Sequence, residues 1–182
     1  MPTVRAVLAQ PRTDLPDPFR PGATGYLHGR WEDRNRRNVP GPIYTGETDT
    51  CLTGRLHAPR QVLYDEGGQE FVYRQPTTAA EVHALLTAAE EDPFQGYAVD
   101  GDEHWTADAV RAWWRDRSRT AEWIAAARGQ WHEPVDGRQQ TRAGHDEYAA
   151  HLADGLHSYL LGYAYWLDNR RVPQPGELLP EL

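Results

Sequence analysis

Lysine is missing altogether: all 19 basic side chains of this 182-residue chain are arginine. High-GC coding accounts for that as readily as selection for the bidentate carboxylate and phosphate contacts of a guanidinium. Cysteine occurs once, as Cys51, so no disulfide can form within the chain. A four-thiolate iron–sulfur cluster is disfavoured for the same reason. Serine occurs only as Ser118 and Ser158, and neither stands in a Gly-x-Ser-x-Gly elbow. There is no Walker A loop, no Gly-x-Gly-x-x-Gly and no Cys-x-x-Cys, and His132-Glu133-Pro134 is not a zincin helix. No apolar run approaches the roughly 18 residues that span a bilayer. Met1–Gln10 has no apolar core followed by a small-residue cleavage site, so a reducing cytoplasm is the expected compartment.

What is present is acidic and aromatic. The net charge is -8 and the mean hydropathy -0.77, which disfavours nucleic acid and anionic membrane as partners. Seven Trp and nine Tyr supply buried area that offsets a modest aliphatic count. The length fits a single domain over 1–182, able to bury roughly 70% of its unfolded surface without a covalent staple.

Along the chain, Thr3–Ala9 reads as a short strand. Residues 10–42 are rich in Pro, Gly and Arg and read as an irregular arm, ordered only where it docks. Gln61–Asp65 and Glu70–Arg74 alternate apolar and polar residues around the turn signal Glu66-Gly67-Gly68-Gln69, which predicts a β-hairpin. A further strand within Ile43–Leu56 is expected beside it. Thr78 and Glu81 fit a capping box that opens a helix to Glu91, stopped at Asp92-Pro93. Thr106 is the next N-cap, with Trp105 and Val110 as a hydrophobic staple. That helix runs toward Arg128 with a break near Ser118–Thr120, and 131–144 reads as a linker. A last helix over Asp146–Asn169 precedes a Pro-rich extended tail at 172–182. The expected fold is therefore α+β: a small antiparallel sheet, a β-hairpin plus one or two strands, followed by three or four helices.

Five constellations could carry chemistry. Asp100-Gly-Asp-Glu-His-Trp-Thr106 packs three acids and a histidine against a helix start. Asp100, Asp102 and His104 are candidate metal ligands, and Asp102 with His104 a candidate acid/base pair. Trp105 and Arg111 stand where an EF-hand needs Gly and Glu, which excludes that loop. The competing explanation is that these acids complement the positive end of a helix dipole. The second constellation holds Asp49, Cys51 and His57 as candidate orienter, nucleophile and base. Arg55 and Arg60 in the same block are candidates for an anionic ligand. A lone cytosolic Cys is more commonly a small buried hydrophobe, and surface Arg commonly pairs with surface acids.

The third is Glu147, His151 and Asp154, which share one helix face and read either as metal ligands or as the wet side. Further along, Leu156, Tyr159, Leu160, Tyr163 and Trp166 form a wide apolar face, which suggests a homodimer. The fourth is Arg30–Arg37, with four Arg and a Trp, suited to an arm folded on an acidic surface. The fifth is the helix carrying Arg111, Arg115 and Arg119 on a solvated face. Trp113 and Trp114 point about 100° apart there, so one of them, with Trp105 nearby, is a candidate lining for a ligand groove.

The blocks Gly41–Arg55 (GPIYTGETDTCLTGR) and Asp100–Arg117 (DGDEHWTADAVRAWWRDR) resemble segments of uncharacterised proteins from high-GC actinobacteria. The resemblance implies no activity. A ferredoxin label, which some such proteins carry, does not fit the single Cys51.

Two functional expectations follow. The first is an acidic, cytoplasmic binding or interaction protein of accessory, regulatory or immunity type, homodimeric, with a protein or small-molecule partner and no nucleic acid or membrane. The second is a small enzyme with acid/base or metal-assisted chemistry on a polar small molecule. In it Asp49, Cys51, His57 and Arg60 would meet Asp100, Asp102 and His104 at one edge of the sheet. The missing catalytic motifs favour the first.

Overall fold

Two pairs of short strands, rather than one continuous sheet, make up the β part of the computed structural model, which describes residues 25–130 and 138–182. Strand β1 (Tyr44–Thr45) is followed by a single helical turn, α1 (Gly54–His57), and then by the expected hairpin of β2 (Val62–Tyr64) and β3 (Glu70–Val72). Helix α2 (Ala79–Glu91) leads to β4 (Tyr97–Ala98) and the turn α3 (Gly101–His104). Helices α4 (Ala107–Arg115), α5 (Arg117–Gln130), α6 (Arg138–Ala153) and α7 (Leu156–Asn169) complete the described chain. The architecture is α+β, with a small antiparallel component and several helices. The strand expected at Thr3–Ala9 lies outside the described residues.

The hairpin registers Val62 opposite Val72 and Leu63 opposite Phe71. Its turn is closed by Asp65, whose Oδ1 accepts from the backbone N–H of Gly67 (2.8 Å) and Gln69 (3.0 Å). Gly68 takes the left-handed conformation there at φ 81°. Both faces of the hairpin are buried, because alternate side chains enter two separate cores. Val62 and Val72 pack with Val82, Leu85 and Ala89 of α2. Leu63, Phe71 and Tyr73 pack with Val110, Ile124, Tyr148 and Leu160 from α4 to α7.

Strand β1 pairs with β4, not with the hairpin. It lies beside β3 all the same, because Thr45 Oγ1 donates to the Glu70 carbonyl (2.5 Å). The supposed arm is part of this structure from residue 25 onward. Its backbone N–H groups donate to β4 and β1: His28 to Gln95 (3.0 Å), Gly29 to Tyr97 (3.0 Å) and Asn35 to Thr45 (2.8 Å). Residues 38–45 are all buried. The Pro- and Gly-rich composition marked irregular backbone correctly. It did not reveal that this backbone finds its partners in the strands.

Thr78 and Glu81 form the capping box reciprocally, and Thr106 accepts from the Ala109 N–H (3.1 Å). Trp105 and Val110 join the same core, as a staple should. Three helix boundaries differ from expectation. The break after Thr106 comes at Asp116, between α4 and α5. The single last helix is two, because Gly155 at φ 96° interrupts it between α6 and α7. Helix α6 also begins at Arg138, inside the expected linker.

Much of the apolar circumference of α7 is covered within one chain, while Tyr159, Leu161 and Trp166 are partly exposed. Leu156, Leu160, Ala164 and Leu167 enter the helical core, and Tyr163 is only 7% exposed. The tail folds back over another side. Tyr165 donates to Glu177 Oε2 (2.7 Å), Arg111 Nε donates to the Glu181 carbonyl (3.0 Å), and Leu182 packs on the core. Of the face that suggested a second copy, Leu156, Leu160 and Tyr163 are used in intrachain packing, and Tyr159 and Trp166 are partly exposed. Among the described residues no helix is long and apolar enough to cross a membrane.

Gly101 and Gly162 give opposite expectations. A Cβ on Gly101 would overlap the carbonyl oxygen of Gly41, whereas one on Gly162 meets nothing within 4 Å. Gly101→Ala should cost about 1–3 kcal/mol. Gly162→Ala, within α7, should gain about 0.5–1 kcal/mol. Urea denaturation midpoints of the two variants check both signs.

Candidate binding cleft

The Asp100–Thr106 block is a joint in the fold. The Gly101 N–H donates to the Pro42 carbonyl (3.0 Å), fixing α3 against the buried end of the arm. Asp102 is buried and accepts from the Tyr163 hydroxyl (2.9 Å), while Arg170 Nη1 donates to the Asp102 carbonyl (3.2 Å). These bonds tie α3 to α7. Asp100 instead faces His104 (Oδ2 to Nε2, 3.2 Å). The His104 ring stacks on Trp31 at 4.8 Å between centroids, and Trp105 meets Trp31 edge-on at 5.2 Å. Burial, with Asp100 alongside, raises the Tyr44 phenol above its ordinary value. Among the described residues, no three His, Cys, Asp or Glu side chains are grouped to hold a metal ion. The proposed trio of Asp100, Asp102 and His104 is divided, because Asp102 turns inward onto α7.

The Asp49–Arg60 block has other neighbours. Asp49 is buried; its N–H donates to Asp92 Oδ1 (3.0 Å) and its Oδ1 accepts from the Cys51 N–H (3.0 Å). The Asp49 charge and hydrogen bond push the exposed Cys51 thiol up, away from the thiolate a nucleophile needs. Arg55 turns into the protein. Its Nη1 donates to the Val62 carbonyl (2.8 Å), and its Nη2 lies 4.0 Å from Glu147 Oε2, which also accepts from Tyr73 (2.8 Å). His57 is half-buried at the end of α1, and Arg60 is exposed in the turn after it. Asp49 is thus engaged with Asp92 and Cys51, and His104 with Asp100 and Trp31. The two blocks do not build one constellation from these bonds.

The stripe on α6 divides similarly. Glu147 serves Tyr73, Asp154 is exposed, and burial lowers the His151 imidazole to about 4.

Sequence reading missed Glu70. At an alternating strand position beside a turn, a Glu reads as the wet side, yet Glu70 is 1% exposed. Oε1 accepts from the Gly54 N–H (2.6 Å) and Oε2 from the Tyr97 hydroxyl (2.5 Å). Its own N–H donates to Thr48 Oγ1 (2.8 Å). Burial raises the carboxyl to about 7, and the charges of Asp49 and Asp92 add to the rise, against the lowering by its two hydrogen bonds. Sealed and fully bonded, it joins β3, α1 and β4 and is closed to any substrate.

A wide opening lies elsewhere. An open cleft of about 1080 Å³ runs between residues 33–37, the hairpin turn and helices α4 and α5. Trp105 and Trp113, both anticipated as ligand contacts, line it. So do Arg34, Arg36 and Arg37, whose environments differ. Arg37 forks onto Glu66 (2.8 Å) and lies 3.9 Å over the Trp123 ring, and Trp123 Nε1 donates to the same Glu66 (3.1 Å). Its charge is neutralised. Arg34 is half-buried, with its guanidinium 4.0 Å over the Trp31 ring and 5.6 Å from Trp105. Its hydrogen bond is to a carbonyl, that of Trp31 (3.3 Å). Burial lowers its pKa, with neighbouring Arg36 contributing. Among the described residues neither Arg34 nor the exposed Arg36 pairs with a carboxylate. Arm arginines resting on acids were expected, and Arg37 fits; the two uncompensated guanidinium groups carried no local sequence signal.

Glu70 gives a pH test. Its folded value of about 7 exceeds the ordinary 4.5, so the folded state holds a proton that the unfolded state releases. Its contribution to stability is full below pH 4.5 and is lost as pH rises through 7, by about 3 kcal/mol at most. Glu70→Gln should remove that alkaline decline. His151 acts oppositely: its contribution is present above pH 6.5 and is lost as pH falls toward 4. Denaturation midpoints from pH 4 to 8 for wild type and both Glu70→Gln and His151→Gln separate the two limbs.

Compared with known proteins, the chain matches no family model, no curated protein and no solved structure.

Proposed function

We propose that the chain is a non-catalytic, cytoplasmic binding protein that holds its ligand in the cleft between the Arg-bearing arm and helices α4 and α5. One observation carries the reading: the cleft exposes cationic groups, Arg34 and Arg36, that no carboxylate of the described residues neutralises. Burying a cation without a counter-charge is costly, and such a site gains when a ligand supplies one. The cleft's size suits a small organic molecule or a short segment of a partner, and Trp105 and Trp113 give it apolar contact.

The catalytic alternative has weaker support. It relied on Asp49, Cys51 and His57 with Asp102 and His104. Asp49 and Asp102 spend their carboxylates inside the fold, and the Cys51 thiol is shifted against reactivity. The reading requires no second copy of the chain, because Tyr163 is turned inward onto Asp102.

Ala112 lines the cleft and is exposed on α4, so Ala112→Trp should fill it without removing a polar group. Native mass spectrometry on protein recovered from its own cells should find a bound mass on the wild type that is lost in Ala112→Trp. A bound mass that survives the substitution, or an empty wild type, would contradict the proposal.

A further inference from the structure

Six Trp rings lie among the described residues, and five are already engaged by another ring or a cation. Trp31 and Trp105 meet each other and Arg34; Trp114 carries His157 and Arg117; Trp123 carries Phe71 and Arg37; Trp166 carries Tyr163 and Arg170. Trp113 alone among them has neither partner. It packs partly on the helical core and also lines the cleft that holds Arg34 and Arg36. Among the described residues, the cleft therefore combines a half-buried indole without a stacking partner and two guanidinium groups without a counter-ion.

We infer that the cleft takes a small organic anion, a planar ring bearing one carboxylate or phosphate, with the oxyanion at Arg34 and Arg36 and the ring on Trp113. The inference rests on the cleft being the binding site. Each part of the ligand answers an unmet feature. A guanidinium matches the geometry of a carboxylate or phosphate and holds it with charge-assisted hydrogen bonds. Arg34 is already oriented by its stack on Trp31, so less side-chain freedom is lost on binding. An indole prefers an offset-stacked or edge-on aromatic neighbour, and such a pair adds to simple area burial. Polyanions are disfavoured, since Asp33, Glu47, Asp65, Glu66 and Asp116 also line the cleft and the chain carries a net charge of -8. A nucleic-acid strand would meet those acids along its length, whereas a single oxyanion needs only the two arginines.

The test uses the full chain, 15N-labelled, with benzoate and phenyl phosphate as probes and the Trp113 indole Nε1–H as reporter. Phenol supplies the ring without the charge, and inorganic phosphate the charge without the ring. At least one of the two ring-bearing anions should shift the Trp113 signal saturably by about 10 mM, a fragment-level affinity. Which of them binds tells carboxylate from phosphate. Phenol and inorganic phosphate should each bind about tenfold more weakly, and Arg34→Gln and Arg36→Gln should each weaken the anion about tenfold, the weight of one charge-assisted hydrogen bond. Arg36 is exposed, so Arg36→Gln keeps the test decisive even if Arg34→Gln disturbs the fold. The inference is overturned if neither anion saturates, if phenol binds as well as the anions, or if Arg36→Gln binds unchanged. If the anions fail while Ala112→Trp still displaces the natural bound mass, the cleft remains the binding site and only the ligand class is wrong.

Discussion

One buried amide, the side chain of Asn38, holds the arm and the two short sheets together. Its Nδ2 donates to the carbonyls of Asn35 and Thr45, both at 2.8 Å. Its Oδ1 accepts from the backbone N–H of Val72 (2.8 Å) and Thr45 (3.2 Å). Both donor hydrogens and the carbonyl oxygen are thus used, which is the condition for burying an amide without penalty. A two-stranded ladder of two or three residues is marginal in water. Here each ladder borrows from the other through side chains. Gln75 repeats the device nearby, with Nε2 on the carbonyls of Val39 and Ile43 and Oε1 on the Ile43 N–H. Buried polar side chains replace the backbone ladder that a wider sheet would have supplied.

The cleft depends on this clamp. Residues 33–37 form one of its walls, and Asn35 and Asn38 fix them to β1 and β3. The same wall carries three arginines in a row of different fates. Arg37 is committed to Glu66 and Trp123 and closes the arm against the hairpin and α5. Among the described residues, Arg34 and Arg36 stay without a carboxylate at the opening. Structural pairing and ligand-ready charge therefore sit on adjacent residues of a single segment, which couples the order of the arm to the chemistry of the cleft.

Local signals in the sequence are the ones that held. Alternation around Glu66–Gln69 marked the hairpin, and Thr78 with Glu81 and Thr106 with Trp105 marked helix starts, because each depends on residues within one or two turns. Gly155 was lost inside an otherwise helical pattern, where a glycine is tolerated until its φ turns positive. Glu70 was passed over, and the burial of Asp102 not foreseen, for a different reason. Their burial is decided by Tyr97 and Tyr163, far away in sequence, and a carboxylate is read as solvent-facing until such a donor is known. Trp113 was anticipated in a groove, with Trp105 nearby, because the adjacent helical pair Trp113 and Trp114 cannot share one seam. Arg34 and Arg36 were not, since only the folded arm distinguishes them from Arg37.

The most direct measurement of this account is native-state hydrogen exchange on Asn38→Ala beside the wild type. A clamp that joins the arm to both sheets requires the amides of Asn35, Thr45 and Val72 to lose protection together, with β4 following through its pairing to β1. Loss confined to the arm, with Thr45 and Val72 still protected as in the wild type, would contradict it and would mean that the two sheets hold together without Asn38.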